Sequence, residues 1–215
     1  MGFENRKYEM EMPAKREAML TEGFRLFALH GIEAVSMQQV ADASGVGVAT
    51  LYRYDYTKLA LVIDIAVKKW EEFADYIRAE QKRRDTAHMT AAEELAFYLD
   101  LYIVLYRKHK DLLRFNQSFN NYVLHEGATK EQLAPYIAAI GTFVRIFHAL
   151  YEKAKLDGTL RTDLPEEKMF AATSHIMLAV AVRYAQGLIY DAQSEADRTE
   201  EFEMLKRALL REFAV

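Results

Sequence analysis

The chain contains no cysteine. That excludes a disulfide framework and any thiolate-held zinc site, and it fits a reducing compartment. Three prolines and nine glycines in 215 residues are too few for a loop-rich or disordered chain. The longest unbroken apolar run, Ile176 to Val182, is far short of the roughly 20 residues of a membrane span. The opening stretch MGFENRKYEMEM is too charged for a secretory signal. Its Met-Gly start is followed by Arg6 where the myristoylation pattern requires Ser or Thr. The expectation is a soluble cytoplasmic protein with no membrane partner. An excess of positive charge is missing too, since the net charge is −4. Residues 1–58 hold seven basic and eight acidic side chains. No global field draws the molecule to nucleic acid, so any such contact must rest on local placement.

Hydrophobic residues make up 51% of the chain, enough for a substantial core. Alternation of period two is nearly absent and helical spacing is everywhere, so the expected fold class is all-α. Leu20, Phe24, Phe27 and Ala28 form one stripe, which Gly31 ends. Ser36 reads as the N-cap of a short helix through Ala43, and Ser44-Gly45-Val46 as a tight turn. A second short helix runs from about Gly47 to Tyr54. Thr57 caps a long helix to about Arg84, with Val62, Ile63, Ala66, Val67, Trp70, Phe73 and Ile77 on its apolar face. Residues 82–88 form a polar break and the best domain boundary. Beyond it come helices over Thr90–Lys108, Asp111–His125 and Thr129–Asp157, the last ended by Gly158. Two more cover Pro165–Tyr190 and Ser194–Phe213.

Two short helices joined by a tight turn, with a longer helix before them, make a helix-turn-helix. The major groove of B-DNA admits one helix, whose N-terminal residues reach base edges while its predecessor crosses the backbone. Val46 and Leu51 face inward. Val48, Ala49, Thr50 and Arg53 face outward, with Tyr52 and Tyr54 at the flank. Thr50 suits a base edge or a phosphate, and Val48 and Ala49 suit thymine methyls. Tyr52, Tyr54, Lys58 and the helix-capping Ser36 suit phosphates. Gln38 and Arg53 complete the candidate DNA-contacting set.

The segment GIEAVSMQQVADASGVGVATLYRYDYTKLAL, Gly31 to Leu61, resembles the DNA-binding segment of the TetR family of bacterial helix-turn-helix regulators. The matching positions are Gly31, Ser36, Val40-Ala41, Gly45-Val46, Thr50-Leu51-Tyr52, Tyr54, Thr57-Lys58 and Leu61. Two positions depart from the family pattern. Asp55 stands where a phenylalanine is usual, and Leu59 where a glutamate is usual. Tyr56 is the candidate to fill part of the phenylalanine's packing role, while Asp55 beside DNA repels phosphate.

The resemblance implies a DNA-binding domain over residues 1–58, a connecting helix over 58–84, and an effector-binding and dimerisation domain over 85–215. It also implies a double-stranded DNA operator and a homodimer as partners. The later helices are rich in large side chains: Tyr98, Tyr102, Phe115, Phe119, Tyr122, Phe147, His148, Tyr151, His175 and Tyr184. Core packing is the better account of any one of them. As a set they exceed what a tight bundle prefers, because each buried phenol needs a partner. With the resemblance, they become candidates for a small-molecule effector site, for an apolar or aromatic ligand. The last two helices carry Ile176, Val180, Tyr184 and Leu188, then Phe202, Leu205, Leu209 and Phe213. These are core residues on the plain reading and the dimer interface by resemblance.

No catalytic or cofactor-binding constellation is legible. Glu-x-x-His pairs, HExxH, GxSxG and a P-loop are all missing. His148 and His175 read as core histidines rather than metal ligands. The competing function classes are a helical-bundle enzyme, and a ligand-sensing or carrier protein with weak or lost DNA binding.

Overall fold

The computed structural model describes residues 2–47, 50, 57–187 and 194–215, with side chains from residue 13 onward. Among these residues there are eight α-helices: α1 (Gly2–His30), α2 (Met37–Ser44), α3 (Lys58–Arg84), α4 (Ala91–Lys108), α5 (Lys110–His125), α6 (Lys130–Asp157), α7 (Glu166–Gln186) and α8 (Glu195–Phe213). A short 3-10 turn, Thr86–His88, separates α3 from α4. Among the described residues the one extended pairing is an isolated bridge between Leu160 and Ala214.

The chain gathers into two compact units. One comprises Met1–Trp70 and Arg114–Ala138, the other Glu71–Leu113 and Ala139–Val215. This grouping cuts across the polar break at residues 82–88, because most of α5 belongs with the N-terminal helices. The apolar spacing of α5 shows that it packs, but not against which partner.

In the first unit α1 packs on α2. Leu20, Phe24, Phe27, Ile32, Val40, Ala41, Leu61, Val62 and Ile65 are buried there. A Cβ on Gly23 would come within 2.9 Å of Ile65 Cδ1, so glycine permits the close approach of α1 and α3. Phe24 meets Phe115 edge-on at 5.5 Å, and Phe119 meets Tyr136 at 4.6 Å. The amide of Ile32 donates to Ser118 Oγ at 2.8 Å, which ties α5 to the loop between α1 and α2.

In the second unit α4 packs against α7 and α8. Its N-terminus is satisfied from far along the chain, by Asp157 on the Ala91 amide (2.7 Å) and Thr159 on the Ala92 amide (3.1 Å). Lys153 bonds the carbonyls of Thr86 and Met89 and pairs with the buried Glu94. Burying that carboxylate is tolerable because it is paired and hydrogen-bonded. The DGTLRTDLP loop closes the unit. The Arg161 amide donates to the Phe213 carbonyl (2.8 Å) and the Val215 amide to the Thr159 carbonyl (3.1 Å).

Most helix boundaries expected from capping residues are observed. Ser36, Thr90 and Ser194 each form a reciprocal capping box, two orphan amides being satisfied at each start. Helix α1, for which only the end at Gly31 was expected, runs back to Gly2 with Pro13 inside it. One boundary differs. Helix α7 stops at Gln186, where Gly187 adopts φ 90, short of the expected Tyr190. Helix α6 is long and apolar enough, by length and composition, to cross a membrane. Counting unbroken apolar runs misses this because polar residues punctuate it. It also supplies Phe147, Leu150, Tyr151 and Ala154 to the interior.

Candidate nucleic-acid interface and the effector-side residues

The geometry begins at Ser36. Its Oγ accepts the Gln39 amide at 3.2 Å, and Gln39 Oε1 accepts the Ser36 amide at 2.8 Å. The hydroxyl also donates to Gln39 (3.0 Å), so Ser36 is exposed but locally satisfied. Gln38 is exposed and donates to Asp42 at 2.7 Å, which holds it along the outer face of α2. Gly45 then takes the left-handed conformation, φ 65 and ψ 20. A Cβ there would meet nothing within 4 Å, so the position calls for glycine by its backbone rather than by crowding. The Val46 amide closes the turn on the Ala41 carbonyl at 3.0 Å, and Val46 is buried, as expected.

The Thr50 amide donates to the Gly47 carbonyl at 2.7 Å, and Thr50 is half-buried. Val48, Ala49, Tyr52, Arg53 and Tyr54 lie outside the described residues, as do Asp55 and Tyr56. Where the chain is described again, Thr57 Oγ1 accepts the Ala60 amide at 3.1 Å and starts α3. Lys58 follows. Its Nζ donates to the Glu33 carbonyl at 3.3 Å and sits 5.5 Å from the Tyr122 ring centre. Burial lowers its pKa, against the opposing pull of Glu126 and Glu33. Lys58 therefore brackets the start of α3, the loop before α2, and α5. Composition gave no sign of this second role.

The candidate effector residues divide between the two units. Phe115, Phe119 and Tyr122 belong to the first and are buried. Tyr98, Tyr102, Phe147, His148, Tyr151, His175 and Tyr184 belong to the second. Within that second set Tyr98 donates to Glu94 (2.6 Å) and accepts from Gln81 (2.7 Å). Burial first, then the Glu94 carboxylate, pushes its pKa up steeply. Tyr102 is half-buried and bonded to Ser174. Tyr151 donates to the Leu164 carbonyl at 2.5 Å and to that of Thr162 at 3.2 Å. Phe147 packs on Phe170 at 5.2 Å.

The reading of His148 and His175 as core histidines is corrected. Both are exposed, and His148 pairs with Glu166 at 2.9 Å. Apolar neighbours at helical spacing suggested burial, but each imidazole falls on the outer arc of its helix.

The dimer candidates also divide. Phe202, Leu209 and Phe213 are buried within the single chain, so they are core residues and cannot form an exposed face. Phe202 packs tilted against Tyr106 (5.3 Å) and edge-on to Tyr184 (5.6 Å). Leu205, Val180 and Tyr184 are half-buried, Ile176 is exposed, and Leu188 lies outside the described residues. The open face of α8 instead carries Met204, Arg207, Ala208 and Arg211, and that of α7 His175, Ile176, Ala179 and Arg183. Spacing alone finds a helix's apolar stripe without saying whether it faces inward or toward a partner.

One residue of the second unit stands out. Tyr106 is 0% exposed, lies 6.0 Å from Tyr184, and its hydroxyl has no hydrogen-bond partner among the described residues. Its place on α4 among apolar residues suits a core position, and nothing in the sequence signals an orphaned hydroxyl.

Residues 19–65 match the bacterial regulatory proteins of the tetR family. No curated protein matches the chain. Solved structures do. The fatty acid degradation regulator FadR from Bacillus halodurans is 18% identical, with TM-score 0.70 over 91% of this chain and 94% of its own. A putative TetR-family regulator from Vibrio parahaemolyticus is 20% identical, with TM-score 0.67 over 94% and 99%. FadR from Bacillus subtilis, solved with stearoyl-CoA, is 15% identical, with TM-score 0.66 over 91% and 95%. Residues 19–65 are thus similar to the bacterial regulatory proteins of the tetR family, and the chain has the all-α fold of these solved structures.

Proposed function

We propose that the chain is a homodimeric transcriptional repressor that releases a palindromic operator when a small hydrophobic effector binds. The observation that carries the DNA part is the ordered geometry of Ser36, Gly45, Thr50 and Thr57 inside the tetR-family match. In this reading residues 1–58 bind DNA, α3 connects, and residues 85–215 sense and dimerise. Thr50, Val48 and Ala49 read bases, with Gln38 and Arg53 beside them. Ser36, Tyr52, Tyr54 and Lys58 hold phosphates. Two-fold symmetry sets the two recognition helices about 34–36 Å apart, one turn of DNA. A coupling of about 1–3 kcal/mol between effector and operator lowers affinity roughly 5- to 150-fold.

The sensing part draws on the aromatic interior of the second unit. An unpaired buried hydroxyl costs about 1–3 kcal/mol, and an effector with a hydrogen-bonding group would satisfy Tyr106 there. The stearoyl-CoA held by one structural neighbour makes long-chain acyl-CoA the first probe. The exposed Ile176 and Met204 support a second copy on α7 and α8. The alternative is a ligand-sensing or carrier protein with weak or lost DNA binding. It draws on the acidic balance of residues 1–58 and on the inward tie of Lys58.

Gel-shift with DNA from upstream of the coding sequence, at several salt concentrations, decides between them. The repressor reading expects a specific shift at low salt, relieved by effector and weakened for all sequences by Tyr52→Phe. No specific shift at low salt would sink it in favour of the carrier.

A further inference from the structure

Three metal-ligating side chains converge where α6 meets α7, within the second unit. His148 and Glu152 stand four residues apart and so share one face of α6. Glu166 opens α7, and the loop that delivers it is pinned by the two bonds from Tyr151 to Leu164 and Thr162. Pro165, at φ −57, fixes the last step before the helix. His148 Nδ1 lies 2.9 Å from Glu166 Oε2. One donor atom from each of His148, Glu152 and Glu166 lies within 4.8 Å of the other two.

We propose that His148, Glu152 and Glu166 form a binding site for a divalent first-row transition-metal cation of the zinc class. The donor set argues for that class. One imidazole with two carboxylates and no thiolate suits zinc, cobalt or nickel better than copper(I), and the imidazole sets it apart from an all-oxygen calcium or magnesium site. Zinc holds such donors at about 2.0–2.2 Å, which for a tetrahedral ion puts them roughly 3.4 Å from one another. The remaining closure is within reach of side-chain rotation, since His148 and Glu152 are exposed and Glu166 is half-buried. Solvent completes the coordination sphere. The ion displaces the His148–Glu166 hydrogen bond and competes with Lys155 for Glu152. It staples the C-terminal part of α6 to the first turn of α7, the helix that carries Ile176 and Tyr184. The site is separate from the tetR-family segment and does not depend on the DNA reading.

The test uses the full, untagged chain. Zn²⁺ is titrated by calorimetry, and Co²⁺ by its visible absorption as a probe of low-coordinate geometry. The expected result is one saturable site per chain and a Zn²⁺-dependent rise in melting temperature. His148→Ala lowers affinity by about a hundredfold or more, beyond the 10–100-fold typical of losing an outer-shell partner. Glu152→Gln and Glu166→Gln each lower it at least about tenfold. His88→Ala, at the separate exposed pair of Asp85 and His88, leaves binding unchanged. Undiminished binding in His148→Ala, or in both glutamine variants, overturns the proposal. So does the lack of any saturable site in the wild-type chain.

Discussion

The amide of Ile32 and the hydroxyl of Ser118 are 86 positions apart in sequence and 2.8 Å apart in space. Ile32 is 0% exposed, so Ser118 is what keeps a fully buried N–H from being orphaned. Ser118→Ala should destabilise the first unit by about 1–3 kcal/mol, the usual cost of a buried unsatisfied donor. Chemical denaturation checks this, and Ser118→Thr, which keeps the hydroxyl, should recover most of the loss. Operator affinity should fall with Ser118→Ala, because the same bond seats the loop that leads into α2.

Lys58 is expected to serve both the fold and DNA. Lys58→Met keeps the apolar stem over Tyr122 and removes the charge. The slope of log affinity against log salt should become shallower by about 0.9, the signature of one lost phosphate contact. Filter binding at four salt concentrations checks this. An unchanged slope would confine Lys58 to its bracket on Glu33. In the same assay, Thr50→Ala should change base preference with little effect on the slope.

Tyr106→Phe deletes a hydroxyl that has no partner among the described residues. The unliganded protein should therefore be unchanged or slightly more stable, since removing an unsatisfied buried group relieves a penalty. The stabilisation given by the effector should fall by about 1 kcal/mol, one neutral hydrogen bond. Thermal melts with and without long-chain acyl-CoA separate the two effects. Equal effector response in both proteins would remove Tyr106 from the site.

The last helix presents two faces with opposite expectations. Phe202→Ala should cost about 3–5 kcal/mol, because it opens a cavity beside Tyr106 and Tyr184. Met204→Asp with Ile176→Asp leaves the interior intact, and should leave monomer stability within about 1 kcal/mol. In sedimentation velocity that double variant should run as a monomer where the wild type runs as a dimer. A dimer unaffected by both changes would place the interface elsewhere.

Acid sensitivity should centre partly on Asp157. Burial works against its ionisation. The amides of Thr159 and Ala91, with the Thr159 hydroxyl and Lys153, outweigh that and lower its pKa. A carboxylate lowered by folding stabilises the native state above the ordinary value of about 3.9. The contribution is lost as pH falls through the lowered value. Asp157→Asn should therefore be less stable than wild type at pH 7, and the two should converge below about pH 4. Urea midpoints at pH 7, 5 and 3 test this.

Much of the fold is local information. Ser36, Thr57, Thr90 and Ser194 are caps because a short oxygen-bearing side chain satisfies an orphan amide within three residues. Gly31, Gly45 and Gly158 mark left-handed positions, at φ 83, 65 and 67, because other residues are strained there. The three- and four-residue spacing of Leu20, Phe24 and Phe27 identifies a helix and its buried face. The tetR-family match is legible for the same reason. It lies in contiguous positions, where turn geometry and inward packing dictate residue type.

The tertiary structure alone decided which face meets which partner. Phe202 and Met204 are two positions apart on an apolar-rich helix, yet one is core and the other exposed. His148 reads as interior from its neighbours Phe147 and Tyr151, and only the position of α7 shows it outside, against Glu166. Glu94 and Lys153, or Ile32 and Ser118, carry no sequence sign of each other. Side-chain chemistry within one or two helical turns is fixed by the chain itself. Pairing across 59 or 86 residues depends on how whole helices pack, a balance of buried area and satisfied polar groups that no local pattern encodes.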